Sequence, residues 1–129
     1  MLTKVLWIED SARIELSNLM GPVLYDERYD FHLAEDVTSA IEYIMLRSFD
    51  VLIVDIRLPP GSDEFWNERY EKPPIWINPK QIAVFTVENL REIQDQLGEL
   101  GISHKRQKTA GLRDNTLVEI IEEVLADQT

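Results

Sequence analysis

Three apolar stretches of this chain each end on groups that can do chemistry. Val5-Leu6-Trp7-Ile8 runs into Glu9-Asp10, Val51-Leu52-Ile53-Val54 into Asp55, and Ile82-Ala83-Val84-Phe85 into Thr86. Short, continuous apolar runs of this kind read as strands buried on both faces, as in a parallel sheet. In an open α/β sheet, ligands bind in the crevice beyond the carboxyl ends of the strands, so the residues that stop these runs would share one site. Three carboxylates and a hydroxyl make that site small, acidic and rich in oxygen, which suits a hard divalent cation and a phosphoryl group. A carboxylate is only a modest nucleophile, so its attack on phosphorus calls for a cation to neutralise the transferring oxygens and hold the group in line. Clustering the carboxylates raises the cost of ionising all of them, and cation and cluster then stabilise each other.

The elements that must position these groups alternate along the chain. Ala12, Leu16, Leu19, Met20 and Val23 recur at helical spacing after a possible cap at Ser11, and Gly21-Pro22 is expected to break or kink that helix near its end. A weaker strand follows around Phe31 to Ala34. Val37, Ala40, Ile41, Ile44 and Met45 predict a second helix, with Ser39 and Glu42 at capping-box spacing. Leu90, Ile93, Leu97 and Leu100 predict a helix that stops at Gly101, and Leu117, Ile120, Ile121, Val124 and Leu125 predict the last one, opened by Thr116 with Glu119 three residues on. Five strands alternating with five helices read as an α/β, doubly wound three-layer sandwich. The segment 58–80 is irregular, because it holds five of the six prolines (Pro59, Pro60, Pro73, Pro74, Pro79). A short third helix, capped by Ser62 or Asp63, is expected to stop at Pro73-Pro74. Ile75-Trp76-Ile77 is expected in an ordered loop before the fourth strand.

Composition narrows the function classes. The 129 residues, 44% of them hydrophobic, are enough for one domain over 1–129 with a real core. A formal charge of −11 opposes non-specific attraction to nucleic acid or an anionic membrane. Without cysteine the chain has neither disulfides nor a thiolate metal site, which is compatible with a reducing cytoplasm. The apolar runs are strand-sized, and no signal-like or membrane-spanning segment is expected.

Glu9-Asp10, Asp55, Thr86 and the late Lys108, taken together, resemble the receiver domain of two-component response regulators. The resemblance spans essentially the whole chain. It is carried by order and spacing: an acidic pair closing the first strand, an aspartate 45 residues after Asp10 in the context Asp55-Ile56-Arg57-Leu58-Pro59, a threonine closing the fourth strand, and a lysine 22 residues beyond it. The resemblance implies a CheY-like, flavodoxin-like fold: a five-stranded parallel sheet of order 2-1-3-4-5 with helices on both faces. It implies that Asp55 accepts a phosphoryl group from a histidine kinase or phosphotransfer protein. It further implies that Glu9, Asp10, Asp55 and the backbone carbonyl of Arg57 hold Mg²⁺, and that Thr86 and Lys108 bind the phosphoryl oxygens, with Lys105 as the competing lysine. In receivers, phosphoryl lifetime is tuned two residues after the acceptor and two after the threonine, here Arg57 and Glu88. Their opposite charges are expected to pair across the entrance.

Two positions depart from the family pattern. Lys105 stands where receivers often carry an aromatic residue, and Thr109 where they generally carry a proline. The fifth strand, within Ile102 to Lys108, is poorly apolar and tolerable only at a sheet edge. Lys105 and Arg106 are expected to make that edge a basic surface for an acidic partner, a downstream protein or a second copy. The loop bearing Trp66 and Trp76 is the rival surface. The leading expectation is a stand-alone cytoplasmic signalling receiver with output by protein contact, since the chain ends just after its last helix; it would be a phosphoprotein and no enzyme beyond self-phosphorylation and autodephosphorylation. The alternative is an atypical receiver that acts as a phosphorylation-independent interaction or dimerisation module. A small Mg²⁺-dependent aspartyl phosphohydrolase is disfavoured, because Glu9-Asp10 is followed by Ser11-Ala12 where such hydrolases would place a second aspartate.

Overall fold

The computed structural model describes residues 2–9, 16–55, 78–87, 89–99, 101–108, 112 and 115–128. Strands β1 (Thr3–Ile8), β2 (Tyr29–Ala34), β3 (Val51–Val54), β4 (Ile82–Thr86) and β5 (His104–Gln107) form one sheet in the order β2-β1-β3-β4-β5, every pair parallel. This is the doubly wound order expected from the sequence. In register, Trp7 lies between Leu33 and Ile53, and Phe85 lies beside Arg106.

Side chains alternate across each strand, so the apolar runs supply two cores. Leu6, Ile8, Leu52, Val54, Ile82 and Val84 line one face, beneath α2 (Val37–Leu46) and α3 (Leu90–Glu99), which contribute Ala40, Ile93 and Leu97. Val5, Trp7, Val51, Ile53, Ala83 and Phe85 line the other, beneath α1 (Gly21–Leu24) and α4 (Thr116–Asp127), which contribute Val23, Leu117, Ile120, Ile121 and Val124. Continuous apolar runs are needed because β1, β3 and β4 are covered on both sides. Truncating one of these buried aliphatic side chains to alanine costs about 2–5 kcal/mol.

The helix ends differ from the expectations in ways the local chemistry explains. The start of the expected first helix, with Ser11 and Ala12, lies outside the described residues; from Ser17 on, a 3₁₀ turn spans Ser17–Leu19, and Pro22 sits in the first turn of the separate, four-residue α1. That position lacks an intrahelical acceptor, so the missing N–H costs nothing there. For α2 the cap is Asp36, whose carboxylate accepts the Ser39 N–H at 2.7 Å, in place of a Ser39–Glu42 box. Asn115 precedes α4 without a side-chain cap bond, and Glu119 is turned to an ion pair across the sheet edge. The expected stop at Gly101 is present. That glycine takes φ +81°, and Ile102 N–H donates to the Leu97 carbonyl at 2.9 Å, closing the end of α3. Asn78 caps a 3₁₀ turn at Pro79–Gln81 that leads into β4.

At the edge, β5 solves its polar composition through α4. His104 and Arg106 share one face of the strand, and Glu119, Glu123 and Asp127 recur every four residues along one face of the helix. Arg106 donates to Glu119 at 3.0 Å and to Glu123 at 2.6 Å, and His104 lies 3.2 Å from Asp127. The expected third helix and the Ile75-Trp76-Ile77 segment lie outside the described residues. Among those described, no helix is long and apolar enough to cross a membrane.

Candidate functional site

Strand alternation explains which strand-end groups meet. Glu9 follows Ile8 and therefore continues the side of Trp7. Asp55 follows Val54 and continues the side of Ile53, and Lys108 lies two residues beyond Arg106, on the side of Phe85. All three thus belong to the α1/α4 face at the carboxyl end of the sheet. Lys108 Nζ donates to Glu9 Oε2 at 2.5 Å and to Asp55 Oδ2 at 2.6 Å. Both carboxylates are buried, Glu9 at 1% and Asp55 at 4% exposure. Charges taken from water to this degree persist only when they are paired at close range. The Lys108 ammonium pairs with both at close range.

The lysine is held along its length. Its backbone N–H donates to the Thr86 carbonyl at 2.6 Å, extending the β4–β5 pairing by one step. Its ammonium also lies 5.5 Å from the centroid of the Phe85 ring. Thr86 itself is fully buried at the end of β4, on the parity of Val84. The competing lysine falls elsewhere: Lys105 pairs in register with Val84 and so faces the α2/α3 side, away from the acidic groups.

Of the expected basic edge, Lys105 and Arg106 project to opposite faces of β5, and Arg106 pairs with Glu119 and Glu123. Asp10, Arg57, Glu88, Trp66 and Trp76 lie outside the described residues, as does Thr109. Among those described, no group of three acidic, histidine or cysteine side chains is placed to hold a metal ion. The donor chemistry fits a hard cation nonetheless, because Glu9 and Asp55 converge on a single point of positive charge and the acidic Asp10 directly follows Glu9.

Sequence reasoning missed Phe85 as part of the site, counting it only as a strand residue. The signal was parity: with Phe85 beside Arg106 in register, a lysine two residues on must rise over that ring.

Solved structures with the same architecture align over nearly the whole chain. A CheY-like response regulator receiver domain protein from Methanospirillum hungatei superposes with a TM-score of 0.73 at 21% identity, covering 99% of this chain and 97% of its own. The chemotaxis response regulator CheY4 of Vibrio cholerae gives 0.67 at 22% identity, covering 96% and 99%. The receiver domain of a sensor histidine kinase from Pseudomonas aeruginosa, which has a magnesium ion coordinated in its active-site cleft, gives 0.61 at 16% identity, covering 98% and 99%. No family model and no curated protein matches the sequence. The likeness is one of fold, the CheY-like, flavodoxin-like sheet of order 2-1-3-4-5.

Proposed function

On the premise of this receiver-domain fold, we propose that residues 1–129 form one signalling domain that accepts a phosphoryl group on Asp55. The donor is the phosphohistidine of a histidine kinase or phosphotransfer protein. The observation that carries this reading is the convergence of Lys108 on Asp55 and Glu9 at the carboxyl end of the sheet, at 2.6 Å and 2.5 Å. A carboxylate oxygen of Asp55 forms the new O–P bond as the donor's P–N bond breaks, and the leaving imidazole takes its proton from solvent. Lys108 is already within hydrogen-bonding distance of the acceptor and follows the charge onto the phosphoryl oxygens, while the Thr86 hydroxyl supplies a second donor. Glu9, Asp10, Asp55 and the Arg57 carbonyl are the residues that would hold Mg²⁺, which when bound neutralises charge on the transferring oxygens.

A signalling domain of this kind acts by contact with a downstream protein and is no classical enzyme, and its expected place is the cytoplasm. Arg57 and Glu88 are proposed to pair across the entrance and hinder an in-line water. Replacing both with alanine is expected to shorten the phosphoryl lifetime severalfold, read by the decay of labelled protein, and an unchanged lifetime removes that role. The domain as a whole is tested with Mg²⁺ and beryllofluoride, followed by amide chemical shifts. Binding that depends on both Mg²⁺ and Asp55 supports the receiver reading. Shifts identical with and without the probe favour the phosphorylation-independent interaction module.

A further inference from the structure

Lys108 carries a long, rotatable stem, and a side chain of this kind is useful at a reacting centre only if something fixes where its ammonium rests. Its two hydrogen bonds to Glu9 and Asp55 are one such restraint, and the ring beneath is a second. Beneath the ammonium lies the Phe85 ring, fully buried, its centroid 5.5 Å from Nζ. The face of an aromatic ring is negative, so it attracts a cation at this distance. The attraction is strongest where water is excluded, as it is around a lysine whose side chain is 9% exposed. Phe85 is in turn fixed from behind. The Trp7 ring packs 6.5 Å from it, and Phe31 packs 6.4 Å from Trp7 on the far side.

Trp7 bears a cost in that position, since its buried indole N–H has no hydrogen-bond partner among the described residues. A buried donor left unpaired is unfavourable and rare in native proteins. A purely apolar side chain would fill the same strand position without the orphan donor. What tryptophan adds is a large, stiff wall against Phe85.

We propose that Phe85, backed by Trp7, is a positioning residue for Lys108: the ring is a seat that holds the ammonium against Asp55 and Glu9. The proposal deepens the phosphoacceptor reading and rests on it for its purpose. Its geometry can be measured without it. A seated lysine competes with a divalent cation for the same two carboxylates, so the strength of the seat sets how readily Mg²⁺ enters.

The test uses Phe85→Leu, together with 3,4,5-trifluorophenylalanine incorporated at position 85, which keeps the ring's shape while stripping charge from its face. In the metal-free parent, the ε-methylene protons of Lys108 are expected to be shifted upfield by the ring. Phe85→Leu should abolish that shift. Mg²⁺ titrated into each protein and followed by amide chemical shifts should bind about threefold more tightly to both altered proteins than to the parent. That gain should vanish in a Lys108→Ala background, where there is no ammonium to seat. A residue that merely fills the core would give neither a tighter cation site nor a dependence on Lys108. An unshifted Lys108 methylene in the parent overturns the proposal, as does an effect of the position-85 changes on Mg²⁺ affinity that is equal with and without Lys108. Since neither readout uses a phosphodonor, failure of Asp55 to accept a phosphoryl group would sink the receiver reading alone.

Discussion

Two clusters with the same charge pattern are centred two residues apart, at Lys108 and Arg106. In one, Lys108 sits between Glu9 and Asp55, with side chains 9%, 1% and 5% exposed. In the other, Arg106 sits between Glu119 and Glu123, with side chains 30%, 31% and 51% exposed. Each is one base held by two acids, and burial alone separates their consequences. The outer cluster keeps its hydration, so its pairs contribute at most about 1 kcal/mol each; it serves to tie a polar edge strand to α4. The inner cluster has given up its hydration, which well-packed apolar residues would not require. An arrangement so costly to stability belongs where charge has chemical work, at the carboxyl ends of β1 and β3.

The contrast breaks first at Lys108. Lys108→Ala removes the ammonium that donates to both buried carboxylates, and we expect a loss of about 3–5 kcal/mol in chemical denaturation. Asp55→Asn removes one of two acids competing for one ammonium and should stay within about 1 kcal/mol of the parent. Equal losses for the two variants would mean that the ammonium does not bridge the pair. Arg106→Ala is expected to cost about 1–2 kcal/mol at low salt, a difference that shrinks as salt is raised, while the Lys108→Ala difference holds. Should both respond to salt alike, burial is not what distinguishes the clusters.

The smallest effect is expected at a third pair, at the surface, that bears on the same point. Arg28 forms a forked contact to Asp26, with Nη2 to Oδ2 at 2.8 Å, and this side-chain bond together with the Arg28 backbone N–H holds the Asp26 carboxyl below its ordinary value of 3.8. A depressed folded value means that the pair's contribution is present above the ordinary range of aspartate and is lost as pH falls through the lowered one. Asp26→Asn should therefore lower stability slightly at neutral pH, leave it almost unchanged below the lowered value, and so flatten the acid limb of the stability curve. A change at acid pH as large as that at neutral pH would contradict this origin.

Much of this was legible from the chain because the relevant signals are strong and local. Four-residue apolar runs rich in β-branched and aromatic residues are well suited to interior strands, and in a parallel sheet the groups that end them share its carboxyl edge. Glu9, Asp55, Thr86 and Lys108 fall there by position alone. What was not legible depends on partners distant in sequence. The acids that pair with Arg106 on β5 come from α4, and no pattern within the β5 run itself reports them. The role of Phe85 required the β4–β5 register, which no local pattern reports. The Ser39 and Glu42 pair satisfies a capping-box spacing, but the helix starts earlier, and Asp36 at its true start accepts the Ser39 N–H.

The central claim is that Asp55 is a phosphoacceptor, and mass analysis of the protein after exposure to a small phosphodonor with Mg²⁺ tests it most directly. We expect a single added phosphoryl group on the parent, mapped to Asp55, none without Mg²⁺, and none on a folded Asp55→Asn variant. Labelling of Asp55→Asn to the parent's extent, or a parent that stays unmodified under conditions where Mg²⁺ demonstrably binds, would contradict it.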